Sequence, residues 1–100
     1  MQQTRFNQIM TMLEKNPKDS FLNYAAALEF KKNNKIDSAI DLLEKLLKND
    51  ENYLPAYYQL GKLYQQINES GKAKNIFLKG KEIAQKQNDF KTLSEIESEL

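Results

Sequence analysis

Residues 57–77 read YYQLGKLYQQINESGKAKNIF. Tyr57, Leu60, Gly61, Tyr64, Ala73 and Phe77 fall three or four apart on either side of the turn residues Asn68-Glu69-Ser70-Gly71. Such spacing predicts two amphipathic helices joined by a short turn. At a separation of 34 positions stand Asn23, Ala26, Ala27, Phe30, Ala39 and Leu43, which match in size class at five of six places. Stepping back again from Leu43, Leu46 and Glu51 reaches Ile9, Met12 and Pro17. Self-similarity at a fixed period decides the architecture of a helical chain more firmly than any single helix.

The rest of the 100-residue chain agrees with an all-α reading. Thirteen Leu, no Val and a surplus of Lys, Glu, Gln and Ala favour helix over sheet. Turn chemistry at Asn16-Pro17, Asn33-Asn34, Asn49-Asp50, Asn68–Gly71 and Asn88-Asp89, with Asp19 or Ser20 as an N-cap, predicts helices near 3–15, 19–32, 36–48, 53–67, 70–87 and 89–99. Short loops between helices of this length make sequential neighbours antiparallel. The expected fold is an all-α superhelix of antiparallel helix hairpins, about six helices in one domain. Its parts are a half-repeat or cap over 1–17, a first repeat over 20–53, a second over 54–87 and a capping helix over 89–100. Phe6, Ile9, Met10 and Leu13 form the inner face of the first cap, and Phe90, Leu93, Ile96 and Leu100 that of the last. A stack capped at both ends reads as a complete small protein.

Composition removes whole chemistries. With no His, Cys or Trp, the chain has no disulfide, Cys-rich zinc site, histidine metal cage, or Ser-His-Asp or Cys-His catalytic set. Fifteen basic residues against fourteen acidic give a net charge of +1, spread as +3 over 1–35, −3 over 36–69 and +1 over 70–100. Nucleic acid and membrane are therefore not the expected partners. Met1–Lys15 mixes Gln2, Gln3, Arg5, Asn7, Gln8 and Glu14 with isolated apolar residues, unlike a signal peptide or a membrane span, and the expected compartment is the cytoplasm.

The segment Tyr57-x2-Leu60-Gly61-x2-Tyr64-x8-Ala73-x3-Phe77 resembles the tetratricopeptide repeat family, with Tyr in place of the family's Trp. The earlier copy departs further, with Asn23 at the Trp position, Ala26 for Leu, Ala27 for Gly and Leu43 for Phe. Glu51 and Gln85 stand where the family often closes its repeat with Pro, which implies less rigid turns, and Gly80 occupies the place of a second small residue. The physical content of the pattern is close helix crossing at small residues, read here as Ala27 with Ala39 and Gly61 with Ala73. Leu43 and Phe77 are then expected between successive repeats.

The resemblance implies a protein–protein interaction module whose first helices line a concave groove for an extended peptide or a partner helix. The positions expected to face it are Phe21, Tyr24, Leu28, Lys31 and Lys32, then Tyr58, Gln59, Lys62, Gln65 and Gln66. Tyr24, Leu28 and Tyr58 add apolar surface pointing away from the hairpin packing positions. Three uses of that surface stay open: packing of the two tyrosines on each other and on the final helix, contact with a partner protein, or homodimer formation. Some family members hold a chaperone's C-terminal carboxylate with Lys and Asn side chains. Tyr24, Leu28 and Gln59 stand at those positions here, so that mode is not implied.

Lys72, Lys79 and Lys86, with Lys74 and Lys81, read as a solvated convex face because no aromatic residue interleaves them. The carboxylate pairs Asp37/Asp41 and Glu95/Glu99 lie at solvent-facing positions near helix ends. No catalytic residue, cofactor or dedicated metal site is expected.

Overall fold

The computed structural model describes residues 4–100, Thr4 by its backbone alone; what the sequence reading says of Met1, Gln2 and Gln3 lies outside the described residues. Among the described residues there are six α-helices and no strand: α1 (Thr4–Lys15), α2 (Ser20–Lys32), α3 (Ile36–Asn49), α4 (Leu54–Gln66), α5 (Ser70–Lys86) and α6 (Phe90–Glu97). Every boundary lies within two residues of its sequence expectation. The period is carried into the structure: α2 shifted by 34 positions coincides with α4, and the start of α3 with that of α5. None of the helices is long and apolar enough to cross a membrane. The chain divides after Asp50 into two compact units.

In the first unit α2 and α3 form the hairpin and α1 packs on α2. Ala26, Ala27, Ala39, Leu43 and Leu46 are almost wholly buried. Small side chains let the two backbones approach, and leucines fill the space beside them. Ile9 of α1 is buried, and the Phe6 ring meets Phe30 edge-on with centroids 5.2 Å apart. The Arg5–Glu29 ion pair at 3.3 Å adds little, since Arg5 is exposed.

The second unit repeats the hairpin in α4 and α5 with a different division of volume. Gly61 is buried, and a Cβ added there would fall on the ring of Phe77. The atoms nearest a Cβ at Gly61 belong to Phe77, and Ala73, read from the sequence as the partner of Gly61, is buried in the same hairpin. Phe77 also closes its own hairpin, where the sequence reading put it between repeats. Ala27 and Leu43 hold the equivalent places in the first repeat, so the pair there is alanine with leucine and here glycine with phenylalanine. Further along α5, a Cβ on Gly80 would come within 2.7 Å of Tyr57 Cβ and 3.1 Å of Ile96 Cδ1. That glycine gives α6 its seat, which Ile96 fills with no exposed surface. Capping by α6 is narrower than expected: Phe90 is 67% exposed and Leu100 49%.

Three turns share one device. Asn34, Asn68 and Asn88 have φ of 62°, 63° and 57°, the left-handed region that asparagine tolerates better than most residues. Behind each, two backbone bonds close the helix end: Asn34 N–H to Lys31 O with Lys35 N–H to Phe30 O, Asn68 to Gln65 with Glu69 to Tyr64, and Asn88 to Gln85 with Asp89 to Ala84. This is the Schellman termination with Asn in the usual place of Gly. The turns entering α2 and α4 are held differently. Asn23 Nδ2 donates to Pro17 O at 3.1 Å, and Tyr57 Oη donates to Glu51 O at 2.6 Å. Both donors occupy the first position of the repeat motif, and each carbonyl lies six residues upstream. Gln87 Nε2 also donates to Asn52 O at 2.7 Å, and Ser20 Oγ to Asp50 Oδ2 at 2.6 Å. These bonds restrain the stretch that the missing prolines were expected to loosen.

Two outcomes follow. Gly61→Ala should lower the unfolding free energy by about 1 to 3 kcal/mol through overpacking against Phe77, and Phe77→Leu in the same chain should recover part of that loss by restoring the first repeat's pairing. A urea-unfolding double-mutant cycle reads the coupling, and additive losses contradict the contact. Tyr57→Phe, which keeps the ring and removes only the bond to Glu51, should cost about 1 kcal/mol in the same assay.

Candidate partner-binding surface

The first helix of each repeat carries the expected contact residues, and each helix keeps them on one face by its three- and four-residue spacing. On α2, Asp19 caps the helix by accepting Leu22 N–H at 2.9 Å. One turn in, Phe21 is 66% exposed, while Tyr24, Leu28 and Lys31 are half-buried. Phe21 also borders a surface depression between α1 and α2, lined with Arg5, Gln8, Ile9, Met12, Leu22 and Ala25. Met12, 46% exposed, extends that apolar rim. Met12 enters the sequence pattern only through the repeat register, and its spacing from Ile9 leaves its exposure undecided.

On α4, Tyr58, Gln59, Lys62 and Gln65 are all half-buried. Pro55 in the first turn suits a position whose N–H has no helical partner. Tyr58 does not simply stand off the hairpin: its ring lies 6.3 Å from that of Phe77, tilted by 53°. Part of its apolar surface therefore belongs to the packing of α4 on α5. Lys62 Nζ is 3.2 Å from Glu99 Oε2, and Gln65 Nε2 donates to Glu99 Oε1 at 3.3 Å. Two polar members of the expected surface, Lys62 and Gln65, thus hold one carboxylate from the turn after α6. Glu99, read in the sequence as solvent-facing, keeps only 19% of its side-chain exposure. Glu99 stands one 34-residue period after Gln65, so this contact pairs equivalent positions of α4 and the segment after α6.

The lysine face of α5 is solvated as expected for Lys74, Lys79 and Lys86. Lys72 reaches over the Tyr64 ring, 5.8 Å from its centroid, and Lys81 pairs with Glu97 at 3.6 Å. Asp41 pairs with Lys45 one turn on, and Asp37 sits in the first turn of α3, where the helix dipole favours a negative charge. Among the described residues no group of three or more Asp and Glu gathers as a metal site.

Paired antiparallel helices repeating at 34 residues, with small residues at the crossing and an asparagine turn in each pair, define a helical-hairpin repeat protein. The family model for the tetratricopeptide repeat matches residues 31–95. A crystal structure of a tetratricopeptide repeat domain protein from Salinibacter ruber is 35% identical, covers 80% of this chain and 89% of that one, and superposes with a TM-score of 0.77. A solution NMR structure of a tetratricopeptide repeat domain protein from the same organism is 35% identical over 82% of this chain and 83% of that one, with a TM-score of 0.78. No curated protein matches the sequence at a significant level. The chain belongs to the tetratricopeptide repeat family, and its fold class is the all-α solenoid of helical hairpins. Domains of this family are in general protein–protein interaction modules, and the fold is typically a non-catalytic scaffold.

Stability and surface should separate by substitution. Phe21→Ser should change the unfolding free energy by no more than about 0.5 kcal/mol, as at an exposed site. Tyr58→Ala should lower it by about 1 to 3 kcal/mol through lost packing against Phe77. Urea midpoints of the two variants give the comparison.

Proposed function

We propose that the chain is a non-enzymatic interaction module that takes up an extended peptide or a helix of a partner protein on the faces of α2 and α4. Phe21, Tyr24, Leu28 and Lys31 serve in the first repeat, and Tyr58, Gln59, Lys62 and Gln65 in the second. The observation that carries the reading is Phe21: a large aromatic residue, 66% exposed, on the same helix face as the half-buried Tyr24 and Leu28. Aromatic side chains offer large contact area at low entropic cost, which suits them as anchors. The polar residues of α4 supply orientation beside them. Two repeats present little surface, so the affinity is of about micromolar order.

A peptide library displayed against the full chain tests this. Enriched peptides should bind the isolated protein in fluorescence anisotropy with a dissociation constant of about micromolar order, and the Phe21→Ser/Tyr24→Ala chain should lose roughly tenfold or more while remaining helical. Enriched peptides that bind the double variant as well as the parent place the contact elsewhere. Sedimentation of the unliganded chain over a concentration series separates this reading from homodimer formation on the same face.

A further inference from the structure

The depression between α1 and α2 has a counterpart within the second unit, and we infer that it is a seat for one amphipathic helix of a partner protein, which lies there as α4 lies on α5 and α6. The inference goes beyond the proposed function and does not rest on it. Of the residues assigned to that function, only Phe21 borders the depression.

Three observations carry it. The first is register. Two 34-residue periods carry α1 onto α5 and α2 onto α6, so that Ile9 corresponds to Phe77, Met12 to Gly80, Leu22 to Phe90 and Ala25 to Leu93. In the second unit α4 completes the set. A Cβ at Gly80 would meet Tyr57 Cβ of α4 at 2.7 Å and Ile96 Cδ1 of α6 at 3.1 Å, so three helices converge on that residue. The equivalent Met12 borders a depression lined by α1 and α2 and is 46% exposed.

The second observation is the surface itself. Ile9 gives it a buried floor, Met12 and Phe21 an exposed apolar rim, and Leu22 and Ala25 the α2 side. Large apolar side chains exposed around one concave place mark an interaction site, and an apolar trough between two helices suits the apolar face of a third.

The third decides the occupant. Tyr57, Leu60, Gly61 and Tyr64 of α4 are buried, whereas the corresponding residues of α6 are Lys91, Ser94, Glu95 and Ser98, all exposed. A second copy stacked through α6 would set those four polar side chains against Ile9 and Met12, at a cost in desolvation. The occupant is therefore a helix with the character of α2 or α4. It carries a small residue where Ala27 and Gly61 stand, because Ile9 takes the place of Leu43 and Phe77, and large apolar residues a turn away. Arg5 stands where α3 and α5 have Ala39 and Ala73, 3.3 Å from Glu29 and with 75% of its side chain exposed. That cation at the rim favours an acidic or neutral neighbour on the occupant over a basic one.

The probe is a fluorescent peptide with this chain's own residues 19–33, DSFLNYAAALEFKKN, added to the full protein and read by anisotropy. The unmutated chain should bind it saturably. Met12→Glu in the chain, at an exposed position, should weaken binding at least about tenfold while circular dichroism stays unchanged. Ala27→Leu in the peptide, which sets a large residue over Ile9, should weaken it as much with no change to the protein. Tyr24→Ala in the chain should leave the affinity within about twofold, since its side chain is not part of the seat. In amide hydrogen exchange the peptide should slow α1 and leave α6 unaffected. A peptide that fails to bind the unmutated chain up to about millimolar concentration overturns the assignment. Binding that follows Tyr24 and ignores Met12 also overturns it and leaves the proposed function standing. A dimer of the unmutated chain that Met12→Glu dissociates overturns it as well, giving the depression to a second copy.

Discussion

The ring of Phe77 against the backbone of Gly61 is the contact on which the second hairpin depends. Glycine in mid-helix is intrinsically unfavourable by about 1 kcal/mol relative to alanine. It stands here because any side chain would displace a ring that is 1% exposed. That contact brings α4 and α5 together where Tyr58 also meets the Phe77 ring, so Tyr58 shares in the packing of the hairpin. The equivalent positions of the first repeat are Ala27 and Leu43, both buried.

A second constraint lies in the turns. Repeat proteins must orient each helix pair on the next, and rigid prolines are one means of doing so. This chain has Glu51 and Gln85 at those places, and side-chain hydrogen bonds hold the turns that lead into α2 and α4. The first motif position donates to a carbonyl six residues back in both repeats, from Asn23 to Pro17 and from Tyr57 to Glu51. That bond gives Tyr57 a role that its similarity to Trp did not suggest, since the phenolic hydroxyl is what reaches Glu51. The three asparagines with positive φ complete the set, closing helices where glycine would leave the unfolded chain freer.

Much of the architecture was legible in the sequence because it is periodic. The spacing of Tyr57, Leu60, Gly61, Tyr64, Ala73 and Phe77, copied at 34 residues, revealed the hairpins, and the turn residues between them located every helix to within two residues. The contact surface was less legible. Periodicity assigns faces to a helix but says nothing of which distant side chain meets them. Tyr58 was expected to add free apolar surface and shares packing with Phe77; Phe90 and Leu100 were expected to cover the last hairpin and stay exposed. Glu99, one 34-residue period after Gln65, was expected to face solvent and instead meets Lys62 and Gln65, because the sequence repeat was followed only as far as α5.

The α4–α5 hairpin is closed at Gly61 and Phe77, and α6 is seated on it by the buried Ile96, the half-buried Leu93 and the Glu97 and Glu99 contacts. Native-state hydrogen exchange at increasing denaturant tests this division between hairpin and seated helix most directly, because it reports the opening free energy of each amide. The account predicts that amides of Leu60–Tyr64 and Ala73–Phe77 exchange only through the unfolding of the whole hairpin, while those of Leu93–Glu97 exchange through a smaller opening insensitive to denaturant. Amides of α6 protected to the same level as those of α4 and α5 would contradict it.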